Sequence, residues 1–535
     1  MSIASGRREI VCQARAVAAN DVVKAAVPVA AAEAEVKAVV VTIGKIAHHE
    51  MASAGSERVS SRAQMRRLLW FLNLSVAALL AAPVPAATAQ PPNFVFILGE
   101  GHGWSSTSGQ MDAAVSASKS AFVRTPNLEK LAAGGMRFAS FYAPSPRCTP
   151  TCAAIFTGKS PAQLHMTFVG EGKQDSGGNP NGRVISPVAS LELAASETTI
   201  AELLKQAGYA TAHFGKWHVG RVSPSQHGFD ESDGPTNNGG PDNVANPHPR
   251  QLYGMTERGL DFVARQVKAG KPFYLQLSHY ASRQGGDASP EALAAVKSWG
   301  GNLGESEVAE AAATLDLDLA FGRVLKRLDE LGIAGNTYVI FTTDHGTPGR
   351  NPPLAGGKGT VSEGGLRVPF IIRGPGIPSG VCSYVRATGE DLFPTIAALA
   401  QVRAPLPRGI EGGSLVSVLT NAGRGTVQRP REEFIVHFPH YDKDALGPAS
   451  AIYLGDFKLI RAYETGALRL FNLAKDPGER HHLARELPDK VKELDQRLTE
   501  YLTAMNAQMP KPNPNYDPTK PTETKRDGGK RKARQ

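Results

Sequence analysis

The sequence predicts an α/β fold: a large mixed, mostly parallel sheet with helices on both faces, followed by a small antiparallel sheet that packs against one helix. Two observations predict it. Through most of the chain, continuous apolar runs alternate with helical segments, which is typical of buried parallel strands joined by helices. After about residue 425 the pattern changes to short strands separated by glycine-containing turns, with one helix at the end.

The first strand is predicted at 93–98, an apolar run that ends at Gly99. A helix should begin at Thr125-Pro126 and stop at Gly134. Further strands are predicted at 137–142, 209–214, 273–277 and 338–341, and further helices at 199–206 and 305–331. In the second part, strands are predicted at 451–454, 458–462 and 468–472, and a helix from 488 to about 505. Because the carboxyl ends of parallel strands meet at one edge of a sheet, functional groups should gather there.

The N-terminal part carries the pattern of a signal peptide. Met65-Arg66-Arg67 precedes an apolar run over 68–82 and a small-x-small site that ends at Ala89. We therefore expect a signal peptide over 65–89, a non-native or unstructured leader over 1–64, and a mature chain that is periplasmic or secreted. The apolar run is short for a transmembrane span, so no stable membrane anchor is expected; an anchor helix that stays is the alternative.

The net charge of +9 lies at the two ends of the chain. Residues 1–89 carry +4 and residues 511–535 carry +5, which leaves the body neutral. The sequence therefore predicts no nucleic-acid partner. The segment 510–535 is rich in Pro, Lys and Thr and is expected to be a disordered basic tail. The remaining chain divides into a catalytic α/β domain, 90–425, and a small α+β subdomain, 426–509.

Chemically active side chains follow several of the predicted strands. Cys148 opens a predicted helix, where the helix dipole and free N–H groups favour an anion. Lys216 and His218 follow the strand at 209–214, and Asp344-His345 follows the strand at 338–341. Lys358 lies on a glycine-rich loop. A nucleophile, several cations and a carboxylate-led metal site suit hydrolysis of a tetrahedral oxyanion ester.

In their order along the chain, these segments resemble those of sulfatases of the alkaline phosphatase superfamily. Matching segments occur in order along nearly the whole mature chain, at 93–104, 125–128, 148–161, 215–220, 341–346, 356–369, 455–460, 470–473 and 475–479.

The resemblance implies a role for each matching residue. Cys148 would be oxidised to formylglycine by a formylglycine-generating or equivalent maturation enzyme, and the hydrate would attack sulfur. Lys216, His218 and Lys358 would hold the sulfate and assist the leaving group. One Ca²⁺ would be bound by Asp344 and His345, with Glu100 and Cys148 as further ligands; one aspartate ligand of the family is missing at Gly101. Each of these residues could instead be purely structural. Cys148 could be a buried thiol, Lys216 and Lys358 solvated surface lysines, His218 a core histidine and Asp344 a turn residue.

Three positions depart from the family pattern. The pair Glu100-Gly101 stands where two aspartates are usual, and Cys152 stands where the modification motif has arginine. Ser282-Arg283 replaces a Pro-His pair, and Arg283 is expected to grip the substrate because arginine stays protonated near neutral pH. His345 is less usual than asparagine for so hard a cation, which leaves the identity of the metal open.

The predicted function is a sulfuric ester hydrolase acting on a sulfated carbohydrate or aryl sulfate. The substrate would be a sulfated small molecule or polysaccharide. Two alternatives stay open. Cys152 favours a catalytically weak or inactive protein of the same fold that binds sulfated ligands, and a phosphoester hydrolase on this fold is the other.

Overall fold

The computed structural model describes residues 90–169, 179–238, 251–280, 288–349 and 351–520. Its strands are β1 Asn93–Gly99, β2 Met136–Phe138, β3 Phe141–Tyr142, β4 Val184–Ile185, β5 Ala210–Gly215, β6 Glu231–Ser232, β7 Phe273–Ser278, β8 Thr337–Thr343, β9 Phe370–Arg373, β10 Val381–Ser383, β11 Ala387–Thr388, β12 Phe434–Phe438, β13 Ala449–Leu454, β14 Phe457–Ala462, β15 Leu468–Asn472 and β16 Lys511–Pro512.

The α-helices among the described residues are α1 Pro126–Ala133, α2 Cys148–Thr157, α3 Pro161–Leu164, α4 Ile200–Gln206, α5 Leu252–Lys268, α6 Pro290–Ser298, α7 Glu305–Glu330, α8 Glu363–Leu366, α9 Leu392–Leu399, α10 Val416–Thr420 and α11 Pro488–Ala504. Short 3₁₀ turns occur at Pro224–His227, Ala334–Asn336 and Gly389–Asp391.

Eight strands form the large sheet, in the order β10-β2-β9-β8-β1-β7-β5-β6. The central strands β8, β1, β7, β5 and β6 run parallel, and β9 pairs antiparallel with both β8 and β2. The sheet is therefore mixed but mostly parallel, as predicted. Its register aligns Gly99 of β1 with Thr343 of β8 and Gly215 of β5 with Ser278 of β7, so these strands end at one edge.

Helices cover both faces of this sheet, which confirms the predicted layering. Alternate residues of β1 enter two different apolar cores: Phe94 and Phe96 pack with α2, α4 and α9, whereas Val95 and Ile97 pack with α1, α5 and α7. Because successive strand residues point to opposite faces, a strand buried on both sides must be apolar throughout. All seven residues of β1 are buried.

The second sheet has four antiparallel strands in the order β12-β13-β14-β15. One face packs against α11 through Leu494, Leu498 and Tyr501. The other face packs against the loop and short helix α8 that follow Lys358 in the chain, through Val361 and Leu366. The predicted small antiparallel sheet with one helix is confirmed, and it lies against a segment that the sequence assigns to the active site.

Two elements differ from the prediction. The strand expected over 137–142 is split into β2 and β3, because the Ala139 carbonyl leaves the ladder and accepts hydrogen bonds from Trp104 and Arg367. The tail is expected to be disordered from residue 510, but residues 511–512 form the strand β16 and the structure describes the chain as far as residue 520. Its β16 pairs with β4, and Asn181 and Asn513 tie the two segments through backbone carbonyls.

Some predicted features lie outside the described residues: the leader over 1–64, the signal peptide over 65–89, the tail beyond 520, and Arg283. Within the part of the chain that the structure does describe, each helix is too short or too polar to cross a bilayer.

Candidate active site

Six of the predicted site residues meet at the carboxyl edge of the large sheet. Four of them, Glu100, Cys148, Asp344 and His345, each offer one ligand atom, and these atoms lie within 4.8 Å of one another. Lys216 and Lys358 reach the same cluster from two other directions. We call these six residues the strand-end cluster.

Two carboxylates come from neighbouring strands. Glu100 follows β1 directly and Asp344 follows β8, and the Asp344 N–H donates to the Gly99 carbonyl (3.2 Å), which continues the pairing of the two strands. Gly101 then turns away with φ of +64°, and its N–H donates to Asp344 Oδ1 (2.9 Å). Both carboxylates are about 95% or more buried.

His345 and Cys148 supply the other two ligand atoms. Nδ1 of His345 lies 2.9 Å from the Gly346 carbonyl, which needs a donor, so Nε2 of the neutral ring presents its lone pair to the cluster. That Nε2 lies 3.1 Å from Cys148 Sγ and 3.2 Å from Asp344 Oδ2. Cys148 is the first residue of α2, whose ten residues are all buried, and its sulfur faces the cluster from the helix N-terminus.

The two lysines converge on Glu100. Lys216 Nζ pairs with Glu100 Oε2 and lies 3.8 Å from Asp344 Oδ2. Lys358 Nζ donates to Glu100 Oε1 (2.9 Å) and lies 3.7 Å from Cys148 Sγ. Two ammonium groups and two carboxylates are thus packed around the Cys148 sulfur, almost entirely away from water.

A tight turn presents Lys216 and His218. Gly215, with φ of +98°, ends β5, and a Cβ there would lie 2.0 Å from the Ser278 carbonyl. Thr236 fixes the residues that follow, because its side chain and carbonyl accept from the N–H groups of Trp217 and His218, each at 3.0 Å. His218 is buried and has φ of +59°, so its backbone is held in a conformation that few non-glycine residues adopt.

The loop carrying Lys358 is tied to the segment that precedes Cys148. The Lys358 N–H donates to the Thr347 carbonyl (2.8 Å), and the Gly359 N–H donates to the Pro146 carbonyl (3.0 Å). The side-chain contact between Lys358 and Cys148 is therefore supported by a backbone contact next to it.

Burial and charge shift the titration of the whole cluster. Burial and Glu100 oppose ionisation of Cys148, but Lys216, Lys358 and His345 outweigh them and hold the pKa of this thiol well below its usual value. Burial also opposes the charge of Glu100, yet the two lysines keep its pKa low. Burial and then Glu100 raise the pKa of Asp344. Strongly perturbed groups of this kind, gathered at strand ends, are typical of catalytic sites.

The ligand set fits a divalent cation. Ligand atoms within 4.8 Å of one another match a cation bound at about 2.3–2.6 Å from each. Burial lowers the pKa of His345, but the Asp344 carboxylate outweighs it and raises this pKa to about 9. Without a metal ion, Nε2 therefore holds a proton near neutral pH, and a bound cation would replace that proton. The cluster is thus a candidate metal site of two carboxylates, one imidazole and the Cys148 side chain.

Cys152 lies one helical turn after Cys148 and belongs to the apolar core beside Ala153 and Ile155. Burial raises the pKa of its thiol well above the usual value, so the position supplies no charge to the cluster. Among the described residues, Cys148, Cys152 and Cys382 are free thiols.

A cavity of about 620 Å³ opens beside Lys358. Residues of the segments 348–349 and 351–360 form most of its wall, and Lys443 and Arg480 contribute from the small subdomain. The sequence analysis did not identify these two residues, although Arg480 directly follows the matching segment 475–479. It also missed Arg147, which precedes Cys148 and forms a two-pronged ion pair with Asp442.

Two further histidines have no part in the cluster. His279 directly follows β7 and is buried, and its N–H donates to the Leu98 carbonyl (2.9 Å), which extends the pairing of β7 with β1. Burial lowers the pKa of its ring to about 4, so it is a neutral core residue. The side chain of His481 is 80% exposed to solvent.

Comparison with known proteins identifies the family. Residues 92–402 match the family model described as Sulfatase, which is more than half of the chain. N-acetylgalactosamine-6-sulfatase of Mus musculus is 34% identical over 396 residues, covering 65% of this chain and 69% of that protein. Arylsulfatase A of Homo sapiens is 29% identical over 505 residues, covering 81% and 90%.

Solved structures share the fold. The sulfatase PsFucS1 from Pseudoalteromonas sp. superposes with a TM-score of 0.59 at 22% identity, covering 81% of this chain and 94% of that one. A structure solved in complex with its substrate D-glucosamine-2-N,6-O-disulfate has a TM-score of 0.56 at 20% identity, covering 78% and 98%.

Proposed function

Because the chain belongs to the sulfatase family, and is a sulfuric ester hydrolase, we propose that it cleaves sulfate esters with a formylglycine made from Cys148 and with one divalent cation held in the strand-end cluster. The observation that carries this proposal is the convergence of Cys148, two carboxylates, an imidazole and two lysines within one buried site.

The residues divide the work of the reaction. The hydrated aldehyde at position 148 presents a hydroxyl at the N-terminus of α2, where helix N–H groups favour the charge of its conjugate base. This oxygen would attack sulfur as the bond to the ester oxygen breaks. The second hydroxyl of the hydrate would then lose its proton, so that the aldehyde re-forms and sulfate leaves. Lys216 and Lys358 bind the sulfate oxygens, since their ammonium groups already surround this position. His218 or Lys358 gives the departing alcohol its proton.

We propose Ca²⁺ as the cation. Glu100, Asp344 and His345 would hold it together with an oxygen of the residue formed from Cys148. Carboxylate and hydroxyl oxygens are ligands that Ca²⁺ prefers, and one imidazole is tolerated. When bound, the cation supplies positive charge that polarises the sulfate.

The proposed substrate is a sulfated carbohydrate or an aryl sulfate. Arg283, five residues after the end of β7 in the sequence, would bind its sulfate or a carboxylate through the planar guanidinium. Replacing Arg283 by alanine should mainly raise KM. We propose that the mature protein works in the periplasm or outside the cell, after a maturation enzyme has converted Cys148.

The test compares 4-nitrophenyl sulfate with 4-nitrophenyl phosphate. The protein is made in its own host, or together with a formylglycine-generating enzyme, and is loaded with Ca²⁺. We expect hydrolysis of the sulfate, abolished in C148A and reduced at least about a hundredfold in K216A and K358A, because each removes charge that faces the sulfate.

The lysine Lys326 provides a matched control, because its side chain is 79% exposed and pairs with Glu330 of the same helix rather than with the cluster. A faster reaction with the phosphate ester would favour a phosphoester hydrolase instead. Tight binding of sulfated ligands with no sulfate release from fully converted protein would favour a binding protein. Metal analysis of the purified protein decides between Ca²⁺ and another divalent cation.

A further inference from the structure

The cavity beside Lys358 has a strongly one-sided charge. Of the described residues that line it, three carry cationic side chains, Lys358, Lys443 and Arg480, and none is acidic. Lys358 also belongs to the strand-end cluster, so the cavity borders the site proposed for the scissile sulfate. Lys443 and Arg480 are not used by the reaction proposed above.

A built turn sets the position of Arg480. Asp476 accepts hydrogen bonds from the N–H groups of Arg480 (2.6 Å) and His481 (2.7 Å). Glu479 has a φ of +55°, and its carboxylate is buried against Lys458 (2.7 Å) and accepts from the Glu363 N–H (2.8 Å). Because Glu479 turns into the protein, the next residue, Arg480, is left on the cavity side. No carboxylate among the described residues forms an ion pair with its guanidinium.

Two anchored aspartates set the position of Lys443. On one side, Asp442 pairs with Arg147, the residue before Cys148. On the other side, Asp444 accepts from the Val361 N–H (3.2 Å), three residues after Lys358. The loop is thus fixed at both ends to segments of the active site, and the lysine between them lines the cavity.

We propose that Lys443 and Arg480 form an anion-binding subsite that recognises a second negative group, a sulfate or a carboxylate, on the sulfate ester being cleaved. This inference rests on the proposed function and narrows its substrate class to polyanionic carbohydrates. Arginine binds both anions with two parallel hydrogen bonds, and a lysine beside it adds charge. Both cations thus lie on loops that are anchored to neighbouring segments, and both line the cavity that Lys358 also lines.

The experiment measures a ratio of specificity constants. Wild type, R480M and K443M are assayed by sulfate release from a 6-sulfated N-acetylhexosamine, from the same sugar carrying a second sulfate, and from its disaccharide with a uronic acid. Wild type should prefer a doubly anionic substrate. In R480M and K443M the preference should fall about tenfold, the loss expected for one charge-assisted hydrogen bond, and KM rather than kcat should change. The two doubly anionic substrates distinguish sulfate from carboxylate as the second group.

Lys475, an exposed lysine of the same segment that does not line the cavity, provides the matched control, and K475M should keep the wild-type ratio. Equal preferences in all four proteins would overturn the subsite and leave the proposed function intact. If wild type with a converted Cys148 releases no sulfate from any ester, the proposed function fails, and calorimetry of the disulfated sugar with wild type and R480M then decides the subsite alone. Equal affinities in that titration would overturn it.

Discussion

Replacement of Lys458 by methionine tests how the small sheet supports the active-site loop. The Lys458 ammonium is fully buried on β14, 3.2 Å from Glu363 and 2.7 Å from Glu479, whose side chains are 0% and 3% exposed. Glu363 opens α8, just after the Lys358 loop, and also accepts from the hydroxyls of Tyr142 (2.8 Å) and Tyr453 (3.0 Å). One buried cation therefore balances two buried carboxylates.

Removal of this cation leaves two carboxylates facing each other without a counter-charge. Removal of one partner of a buried ion pair costs about 3–5 kcal/mol. We therefore expect K458M to lower the free energy of unfolding at pH 8 by about 3–5 kcal/mol. Burial raises the pKa of Glu479, with Lys458 opposing the shift. A carboxyl group whose pKa is higher in the folded than in the unfolded protein contributes stability that is lost as pH rises through the folded-state pKa. K458M should therefore lose less free energy of unfolding, relative to wild type, at pH 5 than at pH 8.

The assay is urea unfolding followed by circular dichroism at both pH values. The double variant K458M/E479Q, which also removes one carboxylate, should recover part of the loss, whereas K326M, at an exposed lysine, should cost about 1 kcal/mol or less. A loss below about 1 kcal/mol for K458M at pH 8, or a greater loss at pH 5, would refute this reasoning.

Three further predictions concern the active site. D344N should lower metal content, thermal midpoint and activity together. Mutation of a residue that only supports a metal ligand lowers metal affinity roughly 10–100-fold, so loss of the ligand itself should lower it at least as much. Unchanged metal content would place the site elsewhere. In the chain as it stands Cys148 should be converted partly or not at all, and C152R should raise the formylglycine fraction, because a guanidinium replaces a neutral buried thiol; full conversion without the mutation would contradict this. G215A should lower the thermal midpoint far more than G208A, since both positions have positive φ but only the Cβ at 215 meets backbone; equal shifts would show that strain alone matters.

The sequence predicts the central strands well because burial on both faces forces an apolar run. Neither β1 nor β8 contains a charged residue, and the first charged residues after them are Glu100 and Asp344. The position of these two side chains therefore follows from topology. The contact between Lys358 and Glu100 depends on the path of a loop, which the sequence pattern does not predict. The resemblance to sulfatases is what assigned Lys358 a role in binding sulfate.

Other features could not be predicted because they depend on contacts between distant segments. The helix α5 and the strands β9 and β12 were not predicted, and β9 is a strand of four residues directly after a proline. Lys443 and Arg480 are exposed residues in loops, and no local pattern distinguishes them from solvated cations. Only the folded chain shows that Asp442, Asp444 and Glu479 anchor these loops beside Lys358.

One measurement tests the central claim, that a residue made from Cys148 performs the hydrolysis. Preparations of the protein with different degrees of maturation are divided in two. One half gives the mass of the peptide that contains Cys148 and Cys152, and the other half gives the turnover of 4-nitrophenyl sulfate. The account predicts that turnover rises in proportion to the formylglycine fraction and extrapolates to zero where Cys148 is unmodified. Turnover that does not depend on this fraction, or that persists in C148A, would contradict it.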